Sequence, residues 1–308
     1  MAWALLLPPL SKWFDLPVES GGETWLIERL LLLATLVITP LALALTAAPD
    51  HNGNHSFPYR ATVLIQPLAA TLAVISFYTR TGLQAGLLTV AWALCATLIA
   101  LFGLARLRGR RSLPPIEELC IDAGLAYITV GSAWLFMSRC GLNPLGFSDT
   151  IVLLTATHFH YAGFAAPILT GIVGRELKRV RPSLGELFRI PAGGVIAGPP
   201  LVAIGITFSR LIEMVSAFAM AASLLTLAML ILFAIVPELK NRAAQLLLIV
   251  SANSVIVTMI FACVYAIGRY KEIATVTIPL MTQIHGLTNA FGFVLCGLLA
   301  WLIKPRKG

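Results

Sequence analysis

Two histidines and a tyrosine interrupt a strongly apolar part of this 308-residue sequence. His158, His160 and Tyr161 all lie within residues 155–164, among alanine, phenylalanine and glycine. Imidazole takes up protons near neutral pH and ligates metals, and a phenol donates a hydrogen bond. Burying such groups in an apolar environment costs free energy unless they have partners or a function, so this run is the first candidate for a site.

A second polar group stands in the last apolar run of the chain. Thr282, His285 and Asn289 have the spacing i, i+3, i+7, which places them in one stripe on a helix. Glu213 opens another apolar run, three residues after Arg210. We therefore predict ligand or proton binding at His158, His160, Tyr161, Glu213, His285 and Asn289.

The spacing of the first two histidines limits how they act together. At 100° per residue, His158 and His160 are about 200° apart on a regular helix and cannot both bind one metal ion. One of them could meet His285 while the other meets Glu213, or a local distortion could bring them together. The candidate metal ligands are His158, His160 and His285, although no diagnostic spacing such as HExxH is present. The metal, any cofactor and any catalytic residue stay undetermined.

The composition identifies the elements that must position these residues. Hydrophobic residues make up 58% of the chain and charged residues 12%, with a mean hydropathy of +0.88. A soluble domain has roughly 25% charged residues. Apolar runs of about 20 residues recur between short charged loops, as helices that cross a bilayer require. We predict an all-α fold, a polytopic helical bundle in the lipid bilayer. The net charge of +8 resides in the loops, so nucleic-acid binding is not expected.

The hydropathy pattern predicts about nine transmembrane helices in a single membrane domain that covers residues 1–308. A short interfacial segment, about residues 1–22, precedes the helices and is anchored by Trp3 and Trp13. The five cysteines show no CxxC spacing, so neither a disulfide framework nor a cysteine metal site is indicated. The predicted spans are residues 25–48, 61–79, 84–105, 117–138, 150–174, 191–208, 211–236, 243–267 and 276–303.

Lysine and arginine are unevenly shared between the two ends of these helices. Seven lie on the side of the N-terminus and fifteen on the other side. The positive-inside rule then places the N-terminus outside and the C-terminus in the cytoplasm, in a bacterial inner membrane. His158 lies about eight residues, or about 12 Å, below the outer end of helix five, and His285 lies at a matching depth in helix nine. The predicted site is in the outer half of the bundle, between helices five, seven and nine.

Prolines and glycines mark helices that are expected to be distorted. Pro40, Pro67, Pro167 and Pro279 each remove a backbone donor inside a span and tend to kink the helix. Residues 191–200 contain three prolines and three glycines. This part of helix six is predicted either to be irregular backbone at a substrate site or to form a short re-entrant or interfacial connection.

Other polar residues have simpler explanations. Asp122, with Glu117 and Glu118, opens helix four, where carboxylates suit the positive end of the helix dipole. His51 and His55 lie in a polar loop between helices one and two. A flexible turn explains these two histidines better than a metal site does.

Two strings combine histidine with glycine and aromatic residues in a distinctive order. They are His158-Phe159-His160-Tyr161-Ala162-Gly163-Phe164 followed by Pro167, and His285-Gly286-Leu287-Thr288-Asn289-Ala290-Phe291-Gly292-Phe293. A third segment runs from Ile121-Asp122-Ala123-Gly124 to Gly131 and Trp134. Over roughly residues 115–303 these strings resemble the YndJ-like family of bacterial membrane proteins. Its members are often labelled transporters but have no settled biochemical activity, so the resemblance implies a site at His158, His160, His285 and Asn289 and leaves its reaction open.

Several functions are compatible with this polar layer. The leading hypothesis is transport or permeation of a small molecule or ion, with the histidines binding protons or ligand and Glu213 as a charge partner. One alternative is an integral-membrane enzyme with a histidine-ligated metal or haem. Another is a non-catalytic subunit of a membrane assembly. A structural role, in which the polar groups only hydrogen-bond across helices, competes with all three.

Overall fold

The protein is a bundle of long helices. The computed structural model describes residues 24–47, 53, 55–110, 114–273 and 275–304, so the interfacial segment expected at residues 1–22 and His51 lie outside the described residues. Nine helices in these ranges are long and apolar enough to cross a membrane, and each predicted span overlaps one of them. The prediction of an all-α polytopic membrane protein is confirmed. The helices are α1 Trp25–Thr46, α2 Phe57–Ser76, α3 Leu83–Arg108, α4 Ile116–Cys140, α5 Asp149–Val180, α6 Pro182–Phe208, α7 Arg210–Glu238, α8 Arg242–Lys271 and α9 Ile278–Ile303.

Large apolar side chains cover the outside of the bundle. Phe57, Leu64, Phe208 and Phe233 are 73–80% exposed. Such a surface is unfavourable in water and suits a hydrocarbon solvent. In that solvent the backbone groups must be satisfied within each segment, which explains why the chain forms helices throughout the spans.

Helix α5 lies at the centre of the bundle. Of its most apolar 18-residue window, 72% is buried, against 33% for α6 and for α8. It contacts α1, α4, α6, α7 and α9, while α3 packs along α4, α6 along α7, and α8 along α9. We call the end of the bundle where α1, α3, α5, α7 and α9 begin the N-terminal face, and the opposite end the C-terminal face. The central position of α5 places its histidines among most of the other helices.

Helix α6 differs from both predictions made for it. The segment Gly185–Phe208 is a continuous α-helix that contains all three prolines. Its glycines instead permit close packing on α7, since a Cβ at Gly194 would lie 2.1 Å from Ser223 Oγ and one at Gly205 would lie 2.3 Å from Glu213 N. The small residues therefore serve helix–helix contact, and the span is neither broken nor re-entrant.

Several helices widen locally into π-helix. Such segments occupy Ala34–Ile38 in α1, Phe159–Ala165 in α5, and Ile231–Ile235 in α7. In each case a proline follows closely, and the residue four positions before it lies inside the π segment: Pro40, Pro167 and Pro237. Because proline has no N–H and its ring clashes with the carbonyl four residues earlier, the preceding turn opens. The distortions expected at Pro40 and Pro167 are thus present, whereas α2 stays α-helical through Pro67.

Helix α9 carries two further π segments, Thr282–Gly286 and Thr288–Leu295. These segments contain His285 and Asn289, and the π segment of α5 contains His160 and Tyr161. Single-turn π segments often occur at functional sites because they redirect side chains. Angular positions computed for a regular helix therefore do not apply to these residues.

Buried charges meet near the C-terminal face. Arg106 Nε lies 2.8 Å from Asp122 Oδ1, and Arg110 Nη1 lies 2.5 Å from Asp122 Oδ2. Glu118 accepts from both of these arginines and from Arg175 of α5. We call these five residues the ion-pair cluster. Asp122 thus does more than cap the start of a helix, because it joins α3 to α4 through two guanidinium groups.

Candidate functional site

A cavity of about 660 Å³ lies inside the bundle, in the half next to the N-terminal face. Residues of α1 and of α4 to α9 line it. Its size falls within the range of small-molecule sites in proteins, roughly 300–1,000 Å³. Most of the lining is aliphatic or aromatic, and the polar groups on it are few.

Five of the six predicted site residues line this cavity. They are His158, Tyr161, Glu213, His285 and Asn289, from α5, α7 and α9. The sixth, His160, is not among the lining residues. The structure therefore brings the polar groups of these helices together in one layer, as their matching depths in the sequence predict, with one exception.

His158 faces the cavity. It is exposed although it belongs to the most buried helix, because the surface it presents is the cavity wall. His285 lines the same cavity. The ring nitrogens of His158 are therefore open to a bound molecule or a proton.

Thr258 of α8 orients His285. The imidazole Nδ1 lies 2.9 Å from the Thr258 carbonyl oxygen, and a carbonyl oxygen only accepts, so Nδ1 is the protonated nitrogen of the neutral ring. This leaves Nε2 as a hydrogen-bond acceptor. The Thr258 hydroxyl also lies 2.9 Å from Asn289 Oδ1. One threonine thus positions both predicted site residues of α9.

His160 has two protein partners and is completely buried. Its Nδ1 donates to the Ala156 carbonyl at 2.8 Å, and its Nε2 accepts from Trp92 Nε1 at 3.0 Å. The imidazole stacks on the Trp92 ring at a centroid distance of 5.8 Å, and a Cβ at Gly131 would lie 2.7 Å from its Nδ1. A proton added to Nε2 would face the Trp92 N–H. Because both ring nitrogens are engaged by the protein, this histidine fixes the packing of α3, α4 and α5.

Tyr161 joins α5 to α1. Its hydroxyl donates to the Leu30 carbonyl at 2.9 Å, and both residues line the cavity. The phenol proton is thus engaged, and the oxygen retains a lone pair for an acceptor role.

Glu213 has a buried carboxylate oxygen without a hydrogen-bond partner among the described residues. The residue is 5% exposed, and this oxygen is its Oε2. Its Oε1 lies 3.5 Å from Arg269 Nε, which is a loose ion pair. Ser209 caps the start of α7, and the absence of a side chain at Gly205 lets α6 approach the Glu213 backbone.

The candidate metal ligands do not form a metal-binding set. His158 and His285 face the cavity, whereas the His160 nitrogens are engaged with Ala156 and Trp92. Within the part of the chain that the structure describes, no group of three or more histidine, cysteine, aspartate or glutamate side chains is placed to hold a metal ion. Of the three candidate ligands, His158 and His285 therefore share the cavity and His160 lies outside it.

Three residues around the site are not among those predicted from the sequence. Thr258 gave no signal, because threonine is common in membrane helices and its partners are distant in sequence. Arg269 and Tyr265 line both the cavity and a second pocket of about 410 Å³ at the N-terminal face, as does Ile278. The antiparallel arrangement of α7 and α8 does predict that Arg269, near the end of α8, lies near Glu213 at the start of α7. We call the second pocket the vestibule.

Comparisons with known proteins identify the relatives of this chain. The model of a family described as YndJ-like protein matches residues 29–293. A protein of Bacillus subtilis (strain 168) named uncharacterized membrane protein YndJ is 29% identical over 280 residues, which are 91% of this chain and 49% of that protein. The chain thus spans about half the length of the curated relative it matches. No solved structure matches. Because the family model covers most of the sequence, this chain belongs to the YndJ-like family of membrane proteins.

Proposed function

We propose that the protein transports a small, largely apolar solute across a bacterial inner membrane and binds it in the cavity between α5, α7 and α9. The observation that carries this proposal is the cavity itself, about 660 Å³ of mostly apolar lining with His158, Glu213, His285 and Asn289 on its wall. Polar groups at membrane depth that face a cavity commonly mark a substrate or ion pathway. A bundle stabilised only by interhelical hydrogen bonds has no need of such a space.

The two ends of the bundle support a transport role. Next to the N-terminal face, the vestibule shares Tyr265, Arg269 and Ile278 with the cavity, so the two spaces are adjacent. Near the C-terminal face, the ion-pair cluster joins α3, α4 and α5. This asymmetry fits one state of an alternating-access cycle, open towards the vestibule and closed at the other end.

The orientation of the protein belongs to the same proposal. The charge asymmetry of the loops supports an orientation with the N-terminal face outside and the C-terminal face in the cytoplasm. The cavity then opens to the outside, and the whole chain acts as one membrane domain. In this arrangement His158 and His285 bind the solute or a coupling proton, while His160 and Tyr161 hold α5 in place.

A transport assay in proteoliposomes tests the proposal. Vesicles loaded with a pH-sensitive dye are exposed to a panel of small cationic, neutral and anionic organic solutes, with radiolabelled uptake as a second readout. We expect a protein-dependent signal that is lost in the double variant His158→Ala/His285→Ala and kept in His55→Ala, which alters a histidine outside the cavity. Full transport by a triple alanine variant that also includes His160 contradicts the assignment of the site.

An absorption spectrum and a metal analysis distinguish the metal or haem enzyme from a transporter. A Soret band or stoichiometric metal in the detergent-purified protein, lost in His158→Ala or His285→Ala, would favour the enzyme. Solute flux without either favours transport.

A further inference from the structure

Threonines on the cavity wall offer oxygen acceptors. Four threonine side chains line the cavity, and each donates its hydroxyl proton to a carbonyl of its own helix at 2.7–3.0 Å. A hydroxyl whose proton is engaged can still accept a hydrogen bond. These residues are Thr155, Thr157, Thr207 and Thr282.

Two further groups follow the same pattern. The Tyr161 hydroxyl donates to Leu30, and the His285 Nδ1 proton goes to the Thr258 carbonyl. What these side chains leave for a ligand is an oxygen lone pair and the Nε2 acceptor. Donors on the same wall are fewer than the acceptors. They are the His158 ring, the Asn289 amide, the Arg269 guanidinium, the Trp134 indole and the Tyr265 hydroxyl. The polar part of the cavity is therefore rich in acceptors.

Glu213 is the strongest of these acceptors. A carboxylate only accepts hydrogen bonds, and a buried one that lacks partners costs free energy. Its side chain is 7% exposed, lines the cavity and has one oxygen without a partner among the described residues. Arg269 approaches only the other oxygen, at 3.5 Å, and its own side chain is 44% exposed towards the vestibule. This buried oxygen belongs to a residue of the cavity wall, and a donor in the cavity reaches it by a rotation of the carboxylate group.

From this pattern we infer that the solute is an organic cation, a primary or secondary ammonium group carried on an apolar body. The ammonium group donates to Glu213 Oε2 and to the surrounding acceptors, and the apolar body packs against the aliphatic and aromatic lining. The inference rests on the proposed function, because it concerns the same cavity, and it specifies the chemical class of the solute.

Three probes of matched size and shape test the inference. They are 4-phenylbutylamine, 4-phenylbutanol and 4-phenylbutyrate, which are cationic, neutral and anionic at neutral pH. The shift of the thermal midpoint of the detergent-purified full chain, measured against probe concentration, gives an apparent affinity for each. We expect the amine to bind about tenfold more tightly than the alcohol, the typical gain from a hydrogen bond between charged groups. The carboxylate should bind most weakly.

Substitutions of two glutamates test which residue is responsible for the preference for the amine over the alcohol. Glu213→Gln keeps the shape and removes the charge, so the advantage of the amine over the alcohol should fall about tenfold. Glu186→Gln is the matched control, because the Glu186 side chain is 80% exposed and does not line the cavity. Its preference should equal that of the wild type.

The outcomes distinguish this inference from the proposed function. Alcohol or carboxylate binding as tight as amine binding overturns the cation inference and leaves the cavity as a solute site. Retention of the amine preference in Glu213→Gln also overturns it. Binding of none of the probes overturns both proposals. The ranking on wild-type protein decides the question even where Glu213→Gln fails to fold.

Discussion

The carbonyl of Thr258 holds the imidazole of His285 at 2.9 Å, across the contact between α8 and α9. The same threonine reaches Asn289 with its hydroxyl. These two bonds fix the tautomer of the histidine and the direction of the amide, so an acceptor and a donor enter the cavity side by side. The orientation of His285 and Asn289 therefore depends on Thr258, which does not itself line the cavity.

Thr258→Val removes the hydroxyl and keeps the backbone carbonyl. We expect the free energy of unfolding to fall by about 0.6 kcal/mol, the average for an interhelical hydrogen bond in a membrane protein. Solute affinity should fall as well, because Asn289 loses its partner. Denaturant titration in detergent and probe binding measure the two effects. The control is Thr226→Val, since the exposed Thr226 hydroxyl bonds only within its own helix, and equal losses in both variants would contradict the role of Thr258.

Trp92→Phe tests whether His160 is structural. The change removes the donor to His160 Nε2 and leaves a buried acceptor unsatisfied, so we expect a loss of about 1–3 kcal/mol in the free energy of unfolding. The ranking of solutes should not change. Trp301→Phe is the control, because the buried Trp301 Nε1 has no hydrogen-bond partner among the described residues. Altered solute ranking with unchanged stability would place His160 in the binding site instead.

Asp122→Asn tests the ion-pair cluster. Arg106 and Asp122 side chains are 6% and 8% exposed, so removal of the carboxylate charge leaves Arg106 and Arg110 to share Glu118 as their carboxylate partner. We expect a loss of about 1–3 kcal/mol in the free energy of unfolding, the typical effect of removing one partner from a buried hydrogen bond. The exposed pair of Arg189 with Glu186 should contribute little by comparison, so Glu186→Gln should leave the thermal midpoint unchanged. Equal midpoints for Asp122→Asn and the wild type would show that the cluster does not hold α3 to α4.

Cysteine labelling tests the proposed orientation. In a protein whose five native cysteines are replaced by alanine, Leu142→Cys adds a thiol at the N-terminal face and Ser183→Cys adds one at the C-terminal face, and both positions are exposed. A membrane-impermeant maleimide added to intact spheroplasts should label Leu142→Cys alone. Labelling of Ser183→Cys alone would reverse the orientation and the direction in which the cavity opens.

Hydropathy alone predicts most of the fold. A span needs about 20 apolar residues whatever its neighbours are, so α1 to α9 follow from local composition. The polar layer is also predictable, because His158 and His285 lie at similar depths in α5 and α9, and Glu213 lies near the start of α7 at the same end of the bundle. These inferences use only length, charge and position, which one sequence supplies.

Side-chain direction and long-range pairing are less accessible. His158 and His160 point in opposite directions, as their spacing predicts. The sequence does not reveal that His160 is paired with Trp92, 68 positions away, and lies outside the cavity. The glycines of α6 predict irregular backbone when the sequence is considered alone, whereas their contacts on α7 show that they permit close packing. In the same way, Asp122 has a local explanation that hides its pairing with Arg106. A single sequence does not specify which faces of distant helices meet.

The central claim is that the cavity is the route of the solute, and a pair of tryptophan substitutions on α7 tests it most directly. Ala217 lines the cavity, while Ala222, five positions along the same helix, is exposed on the outside of the bundle. We expect Ala217→Trp to fill the cavity and abolish solute flux in proteoliposomes, and Ala222→Trp to retain it at similar protein stability. Equal flux in the two variants would contradict the account, because the solute would then pass without entering the cavity.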